Sequence, residues 1–391
     1  MTEVVIVGGA RTPQGRLLGQ MASLTAVDLG AHAISAALER AGVAAEAVDY
    51  VLMGQVIGAG CGQNPAKQAA VKAGLGMNVP AETINKVCLS GLVSVTHAAR
   101  LLRLGEASVV VAGGMESMTN APHLARVRGG VKYGTAPLED SLAADGLDDA
   151  AGGISMGVLT EQGNQSFTFT REQQDQIAAD SHVRAAEAQA AGVFDDEIAP
   201  ITIPQRRGEP VVVSADEGVR ADSTVESLGK LRPAFSKDGT ITAGNASPIS
   251  DGATALVLTT REYAEANGLT VLCAVGEAGQ VAGPDTQLHQ QPSRAINAAL
   301  ERAGWSLEEL DFIEINEAFA AVGLASLEEL GYPWEKTNIH GGAIALGHPV
   351  GASGARLALH AALELHRRGG GKAAVSLCGG GGQGEALLLH S

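Results

Sequence analysis

Short apolar runs alternate with longer amphipathic segments along most of the chain. Runs rich in Val, Ile and Leu predict strands, and apolar positions spaced by three and four residues predict helices. In the first part of the chain the predicted strands are 3–8, 49–56 and 108–113, and the predicted helices are 26–42, 64–74 and 89–104. Later strands are predicted at 253–259, 271–281, 311–315, 373–378 and 384–389, with helices at 292–304, 317–330 and 352–367. This alternation predicts an α/β protein with a mostly parallel sheet that helices cover.

The pattern also repeats within the chain. Residues 34–42 read ISAALERAG and residues 296–304 read INAALERAG, so eight of nine positions agree at an offset of 262. The pair Ser90-Gly91 and the later pair Ser353-Gly354 follow in the same order. Chance similarity between Ala-rich helices is the alternative, but the shared order of several elements favours an internal duplication.

Residues 119–248 interrupt this pattern with more charge, Gly and Pro. They contain one clear helix at 171–191, which Thr170 opens with Gln173 at the capping-box spacing. We therefore expect three units, which are a first half (1–118 with 249–269), an inserted domain (119–248) and a second half (270–391).

Composition narrows the classes of partner. The 391 residues carry a formal net charge of −16, with only 18% charged residues and 45% hydrophobic ones. This composition is typical of a folded chain with a large core. An acidic chain lacks the basic footprint of a nucleic-acid binder, so we expect no nucleic-acid partner.

The N-terminus and the cysteines favour a cytoplasmic protein. The opening MTEVVIVGGARTP reads as a first strand and not as a signal peptide. No run of about 18 apolar residues stands out, so no transmembrane helix is expected. The four cysteines form no CxxC pair, and a chain of this size needs no disulfide framework.

Two cysteines are candidates for chemistry. Cys88 directly precedes a predicted helix, whose positive end would favour a nucleophilic thiolate. A buried structural cysteine is the alternative. Cys378 follows a predicted strand and precedes four glycines, a turn that could direct backbone N–H groups into a site. A glycine-rich hairpin with an incidental cysteine would read the same way.

Two further side chains lie at predicted loop positions. His348, between Gly347 and Pro349, would stand on a rigid loop suited to general acid–base work, although a structural histidine is the alternative. Asn316 follows a predicted strand, at the edge where open α/β sheets place ligands. An ordinary helix N-cap is the alternative there.

Taken together, these segments resemble the signature sequences of the thiolases. The resemblance covers nearly the whole chain and is carried by GGARTPQG (8–15), GQNPAKQAA (62–70), INKVCLSGL (84–92), VVVAGGMESM (109–118), RGGVKYG (128–134), TREQQD (170–175), KLRPAF (230–235), TAGNASPISDGA (242–253), NEAFA (316–320), GGAIALGHPVGASGAR (341–356) and CGGGGQG (378–384). It implies two βαβαβαββ halves that form a layered αβαβα core, with a loop domain inserted in the first half.

The resemblance also implies a mechanism. Cys88 would carry the acyl group as a thioester, and His348 would take the thiol proton. Cys378 would be the base that removes the α-proton of the second acetyl-CoA. The enolate oxygen would meet His348 and a water held by Asn316, and the acyl oxygen would meet the N–H groups of Cys88 and Gly380.

Coenzyme A would be substrate and product, with no resident cofactor and no metal. The resemblance assigns CoA or acyl contacts to Ser247, Arg220, Ser227, Met156, Ala243 and Phe319. A solvated surface arginine is the alternative for Arg220. The segment 120–134 resembles the loop that joins thiolase dimers, which implies a homotetramer.

Some positions depart from the usual family pattern. Leu89 stands where a small residue is usual, and its bulk could reshape the backbone or crowd the acyl pocket. Ser155 replaces a frequent His, and Pro248 replaces a usual Gly. The segment 283–294 also differs, and it contains Leu288 and His289. We expect altered acyl preference from these changes, with catalysis retained.

Several functions compete with this interpretation. A nucleotide oxidoreductase is disfavoured because the first strand is not followed by GxGxxG. A metal enzyme is disfavoured because no local ligand spacing appears. A non-catalytic CoA-binding relative is disfavoured by the retained cysteines. The resemblance favours acetyl-CoA and acetoacetyl-CoA as substrates, with the broader 3-ketoacyl-CoA thiolases of β-oxidation as the alternative.

Overall fold

The computed structural model describes residues 2–205 and 207–391. The strands are β1 Val4–Arg11, β2 Gly15–Arg16, β3 Tyr50–Gly54, β4 Ala81–Ile84, β5 Val109–Ser117, β6 His123–Leu124, β7 Glu139–Asp140, β8 Asp148–Asp149, β9 Ile154–Ser155, β10 Ile201–Ile203, β11 Val211–Val213, β12 Ser250–Thr260, β13 Cys273–Ala282, β14 Phe312–Ile315, β15 Lys372–Gly379 and β16 Gln383–His390. The α-helices are α1 Ala26–Ala41, α2 Pro65–Lys72, α3 Ser90–Leu104, α4 Met156–Gly163, α5 Arg171–Ala190, α6 Val225–Gly229, α7 Arg261–Ala266, α8 Gln291–Ala303, α9 Ala320–Leu330, α10 Ala343–Leu346 and α11 Ser353–Arg368.

One large mixed sheet forms the centre of the protein. Its strand order is β14-β15-β16-β13-β1-β12-β5-β3-β4, and β2 pairs with β12. Only the pairs β3–β4, β3–β5 and β14–β15 are parallel, and the other pairs are antiparallel. The predicted mostly parallel sheet is therefore wrong. Helices cover both faces in either case, so the apolar runs do not encode strand direction.

The order of elements confirms the duplicated α/β fold. The first half runs β1-α1-β3-α2-β4-α3-β5-β12, which is βαβαβαββ. The second half runs β13-α8-β14-α9, then α11-β15-β16. Its missing third strand is represented by an isolated parallel bridge between Ile313 and Thr337. The repeated sequence ERAG ends α1 and α8 in the same way, because Gly42 and Gly304 both adopt the left-handed conformation.

The helices arrange these strands in layers. Helices α3 and α11 contact each other and contact strands of both halves, so they form the central helical layer. Helices α1 and α2 cover the outer face of the first half, and α8 and α9 cover that of the second. The two halves of the sheet join only at two residue pairs, Val5–Ala274 and Ile6–Cys273. This is the expected αβαβα arrangement.

The repeated Ser-Gly pair marks the contact between the two central helices. A Cβ atom added at Gly91 would lie 2.9 Å from the backbone nitrogen of Ala355. A Cβ atom added at Gly354 would lie 2.5 Å from the backbone nitrogen of Leu92. Each glycine thus lets the first turn of its helix approach the first turn of the other. The two helices begin side by side, and the residues just before them share one site.

The inserted segment contains the predicted long helix as α5. Thr170 accepts a hydrogen bond from the backbone of Gln173, whose side chain accepts one from Thr170 N, so the capping box is confirmed. The insertion is tied to the core by buried ions. Arg11 makes a bidentate pair with Asp216 at 2.7 and 2.8 Å and donates to Glu197 at 2.9 Å. The boundaries of the three expected units remain a prediction.

Among the described residues one segment, 87–104, is long and apolar enough to cross a membrane by length and composition. By length and composition, the expectation that the sequence contains no such segment is wrong. In the structure 61% of this window is buried, because it contains α3, the central helix between the two halves. Its apolar character is explained by that packing.

Candidate active site

A cavity of about 220 Å³ lies where α3 and α11 begin and β15 ends. Most of its wall is apolar, as in many sites for small acyl groups. Among the side chains and backbone groups that line it are Cys88, Leu147, Ser155, Met156, Phe235, Ser247, Leu288, Phe319, His348, Cys378 and Gly380. The cavity therefore brings together residues from the first half, the insertion and the second half.

Cys88 precedes α3, whose N-cap is Leu89. Burial removes water from the thiolate and raises the pKa of Cys88 to about 11, although the backbone N–H groups of Cys88 and Gly380 hydrogen bond to the sulfur and lower it. Burial therefore opposes the thiolate that the helix terminus is predicted to favour. Desolvation outweighs the donors, and the thiol stays protonated at neutral pH.

The turn before Cys88 holds a strained backbone. Val87 has φ = 53°, a conformation that β-branched residues rarely adopt. The Ser90 hydroxyl fixes this turn, since it donates to Val87 O at 2.6 Å and accepts from Lys86 N at 2.8 Å. The strain places the Cys88 sulfur beside two backbone donors, its own N–H and that of Gly380. Sequence reasoning missed Val87 and Ser90, and only the Ser at the start of the helix hinted at them.

His348 is held in a defined tautomer. Its Nδ1 lies 2.6 Å from Ser353 Oγ, and the Ser353 hydroxyl also lies 3.0 Å from Pro349 O. Because the single hydroxyl proton goes to the carbonyl, Ser353 accepts from Nδ1–H, and Nε2 keeps its lone pair. Burial, and then the charge of Arg356, lower the pKa of His348 to about 4, so the imidazole is neutral. Ser353 is a third residue whose role sequence reasoning missed.

Asn316 lies beside this histidine. Its Nδ2 is 3.4 Å from His348 Nε2, and its Oδ1 is buried without a hydrogen-bond partner among the described residues. The alternative that Asn316 is a helix N-cap is wrong, because α9 begins at Ala320 and its N-cap is Phe319. The amide is therefore free to hold a polar group of a substrate or a water.

Cys378 lies near the end of β15, opposite Cys88. Its side chain is almost fully buried and lines the same cavity. Burial, and then the negative charge that Cys88 carries once it is ionised, raise the pKa of Cys378 far above its usual value. At rest the two thiols and the imidazole are all uncharged, which is the lowest-cost state for a small apolar cavity.

The predicted CoA contacts divide into two groups. Ser247, Met156 and Phe319 line the cavity, and Phe235 packs against Phe319 edge to face with ring centres 6.2 Å apart. The Ser247 hydroxyl donates to Ala318 O at 3.1 Å. Outside the cavity, exposed on the insertion and its flank, lie Arg220, Ser227 and Ala243. Their predicted contact with CoA requires a ligand that extends beyond the cavity.

The residues that depart from the family pattern have different positions. Leu89 points into the core and does not line the cavity. It packs against Gly379, where an added Cβ atom would lie 2.6 Å from Leu89 Cγ. The expectation that it crowds the acyl pocket is wrong. Ser155 and Leu288 do line the cavity. His289 turns away from it and pairs with Asn164 at 2.8 Å.

In the described residues, 2–205 and 207–391, no group of three or more His, Cys, Asp and Glu side chains is placed to hold a metal ion. The three polar residues Cys88, His348 and Cys378 instead line one mostly apolar cavity. That arrangement suits proton transfer between sulfur and nitrogen atoms around a bound acyl group.

Comparison with known proteins identifies the family. The family "Thiolase, N-terminal domain" matches residues 4–262, and "Thiolase, C-terminal domain" matches residues 269–391. A protein of Mycolicibacterium smegmatis named probable acetyl-CoA acetyltransferase is 57% identical over 387 residues, which cover 99% of this chain and 100% of that protein. Proteins named acetyl-CoA acetyltransferase from Cupriavidus necator and Pseudomonas aeruginosa are each 48% identical, over 100% of this chain and 100% and 99% of their own lengths. The chain belongs to the thiolase family.

Proposed function

We propose that the protein is an acetyl-CoA C-acetyltransferase, which joins two acetyl-CoA molecules to form acetoacetyl-CoA and CoA and also runs in reverse. The observation that carries this proposal is one small apolar cavity lined by two thiols and a neutral imidazole, with an asparagine amide beside the imidazole. Two backbone N–H groups at the Cys88 sulfur add an oxyanion site. The names of the relatives support the same activity.

In the first half-reaction the acetyl group moves to the enzyme. His348 Nε2 takes the proton of Cys88, and the sulfur attacks the acetyl-CoA carbonyl. The carbonyl oxygen becomes negative and is held by the N–H groups of Cys88 and Gly380. A lost donor of this type costs about 3–4 kcal/mol of transition-state stabilisation. The carbon–sulfur bond to CoA breaks, the CoA thiolate takes the proton of Cys378, and CoA leaves.

The second half-reaction makes the carbon–carbon bond. The Cys378 thiolate removes a proton from the methyl group of a second acetyl-CoA. The enolate oxygen is stabilised by the imidazolium N–H of His348 and by a water on Asn316. The enolate carbon attacks the acetyl group on Cys88, the Cys88 thiolate leaves, and it regains a proton from His348. All groups return to their starting protonation states, and the two steps predict ping-pong kinetics.

The size of the cavity favours a short acyl group over the broader 3-ketoacyl-CoA alternative. About 220 Å³ is bounded by large side chains, among them Phe235, Phe319 and Leu288. The alternative of a non-catalytic CoA-binding protein is disfavoured by the neutral His348 tautomer that faces Cys88. CoA itself would extend from Ser247 toward Arg220 and Ser227 on the insertion, and it remains a substrate with no resident cofactor or metal.

We also infer a homotetramer that works in the cytoplasm in lipid metabolism. The segment 121–140 forms an arm whose short strands β6 and β7 pair with each other. It exposes apolar side chains, which a second copy could cover, namely Val127, Val131, Tyr133 and Leu138. This exposure supports the assembly that the resemblance implies for residues 120–134.

The experiment is thiolysis of acetoacetyl-CoA and of a longer 3-ketoacyl-CoA by free CoA. We expect rapid cleavage of acetoacetyl-CoA by the natural protein. Cys88→Ala should form no acyl-enzyme and show no turnover. Cys378→Ala should still gain one acetyl group from acetyl-CoA, measured by mass spectrometry of the intact protein, but should neither make nor cleave the carbon–carbon bond.

Cys61→Ala is the matched control. Cys61 is a free, partly exposed thiol outside the catalytic cavity, so this variant should keep full activity. Full activity in Cys88→Ala or Cys378→Ala would contradict the proposal. Preferred cleavage of the longer substrate would move the protein to the β-oxidation thiolases.

A further inference from the structure

Helix α11 presents a polar stripe to the core. Ser353, Arg356 and His360 recur at spacings of three and four residues, so they share one face of the helix. On strand β14, Ile313 and Ile315 point into the outer core. Glu314 lies between them and therefore points to the opposite face of the strand, toward α11. Asn316, two residues further on, lies on the same strand face as Glu314. The stripe therefore runs from the catalytic cavity into the interior.

Arg356 is an unusual member of this stripe. It is 2% exposed, and its Nε and Nη2 atoms make no hydrogen bond within the part of the chain that the structure describes. Glu314 is the acidic group that acts most strongly on Arg356, and both of its carboxyl oxygens also have no hydrogen-bond partner there. The two side chains thus form no hydrogen bond with each other, and burial raises the pKa of Glu314 to about 7. A buried charge without a hydrogen-bonded partner destabilises a fold, so Arg356 is not explained as a residue that holds the fold together.

Arg11 shows what a buried anchoring arginine looks like in this protein. It is fully buried too, but its guanidinium is matched by the carboxylates of Glu197 and Asp216 at 2.7–2.9 Å. Arg356 has no such match among the described residues. Its charge is therefore far less neutralised than that of Arg11, and its field extends into the surrounding low-dielectric interior.

The catalytic histidine lies within that field. Arg356 is one helical turn beyond Ser353, whose hydroxyl accepts from His348 Nδ1. The titratable groups on the elements packed around His348 are Cys88 before α3, Cys378 on β15, Arg356 on α11, Glu116 on β5, and Glu314 and Glu317 at the end of β14. Burial raises the pKa of Glu116 and of Glu314 to about 7, and Arg356 is the group whose charge acts on His348. After burial, its charge is the remaining cause of the lowered pKa of His348.

We propose that Arg356 is a positioning residue for proton transfer, whose buried positive charge opposes a second positive charge on His348 until a thiolate forms beside it. The imidazole then stays free to receive the Cys88 proton, and the imidazolium exists only while a thiolate accompanies it. This inference rests on the proposed function for its catalytic meaning. It concerns no contact with the substrate.

The test is the pH dependence of acetoacetyl-CoA thiolysis by three variants. Arg356→Met removes the charge, and Arg356→Lys retains it. The acid limb of kcat/KM reports the pKa of the free enzyme's base. In Arg356→Met this limb should move upward by about one pH unit, a tenfold loss of activity on the limb, whereas Arg356→Lys should keep the natural position.

The double variant Arg356→Met with Glu314→Gln guards against misfolding, because it leaves neither buried charge unmatched. Burial raises the pKa of Glu314 to about 7, so its carboxyl is protonated on the acid limb, and the limb of the double variant should coincide with that of Arg356→Met. A loss of activity in Arg356→Met that is equal at all pH values would overturn the proposal, since a purely structural role would give that result. An unmoved limb with full activity would also overturn it.

A second readout separates this inference from the proposed function. NMR titration of ¹⁵N-histidine-labelled protein, with the His348 signals identified by their loss in His348→Asn, reports the imidazole without any substrate. We expect the His348 titration midpoint to rise by about one pH unit in Arg356→Met. No thiolysis by the natural protein would contradict the proposed function. An unchanged His348 midpoint in the variant would contradict the role of Arg356.

Discussion

At the residue scale, the hydroxyl of Ser353 decides which nitrogen of His348 faces the cavity. It accepts a hydrogen bond from Nδ1–H at 2.6 Å and donates one to Pro349 O at 3.0 Å. Ser353→Ala removes this acceptor and lets the imidazole rotate or change tautomer. We expect kcat to fall by about tenfold to a hundredfold, the equivalent of one hydrogen bond to a group that becomes charged, with little change in KM.

Steady-state kinetics at neutral pH would measure this effect. Ser326→Ala is the matched control, since Ser326 is also a buried helical serine that donates to a carbonyl, His289 O, at 3.0 Å. That variant should lose stability without a selective loss of kcat. Equal kinetics for Ser353→Ala and the natural protein would mean that Ser353 does not set the tautomer.

Leu89 illustrates a residue next to the nucleophile that serves the core. It is fully buried, packs on Gly379 and does not reach the cavity. Leu89→Ala should therefore lower the free energy of unfolding by about 2–5 kcal/mol, the range for large cavities in a core. Urea unfolding would measure the loss. The ratio of activity on acetoacetyl-CoA to that on longer substrates should stay the same, and a broadened substrate range would contradict this assignment.

At the element scale, the segment between β13 and α8 holds one side chain in the cavity and the next outside it. His289 pairs with Asn164 and stacks on Phe167 at a ring distance of 4.9 Å, which fixes the segment. Leu288 is thereby held against the acyl cavity. The segment that departs from the family pattern thus shapes the acyl wall through Leu288.

Leu288→Ala should enlarge the cavity. We expect thiolysis of a 3-ketoacyl-CoA with a longer chain to rise by about tenfold relative to acetoacetyl-CoA, since each methylene in such a pocket is worth about 1–3 kcal/mol. Relative kcat/KM values for the two substrates give the answer. Leu89→Ala, which enlarges the core and not the cavity, is the control, and a similar change in both variants would contradict the distinction.

The sequence predicted helices better than sheet directions. The helix predicted at 171–191 is Arg171–Ala190, and the helix predicted at 352–367 is Ser353–Arg368. Strand β4 was not predicted, because its four residues, Ala81–Ile84, are only partly buried and carry little apolar signal. Antiparallel pairing was missed because periodicity does not reveal strand direction, neither for β12 after the insertion nor for the β15–β16 hairpin.

The candidate site was predictable in part. Cys88, His348, Asn316 and Cys378 were found as motif residues; the structure places the two cysteines and His348 around one cavity, with Asn316 beside His348. The direction of the Leu89 side chain and the role of Ser353 were not predictable. Both depend on contacts between segments that are far apart in the chain, which local patterns do not contain. The polar stripe on α11 was visible as helical spacing, but its partners on β14 were not.

At the scale of the whole molecule, buried ions join the insertion to both halves. Burial alone would raise the pKa of Glu197, but the charges of Arg11 and His360 outweigh it and hold this pKa at about 2. A carboxylate whose pKa is lowered on folding stabilises the protein above its unfolded pKa, near 4.5. That stabilisation is lost as the pH falls toward 2.

Glu197→Gln should therefore remove a pH-dependent part of the stability. The difference in unfolding free energy between the natural protein and the variant should be about 3 kcal/mol near pH 6 and should shrink between pH 4.5 and 2. Urea unfolding at a series of pH values would show this. Glu226→Gln, which breaks an exposed pair with Lys230, should show almost no difference, and a constant difference for Glu197→Gln would contradict the ionic role.

The close approach of α3 and α11 at Gly91 and Gly354 has an evolutionary consequence. A side chain at either position would push away the first turn of the opposite helix, and with it the support of Cys88 or of His348. A mutation in one copy of the duplicated unit is thus felt at the catalytic group of the other copy. Selection for catalysis in one copy therefore also constrains the sequence of the other copy at this contact.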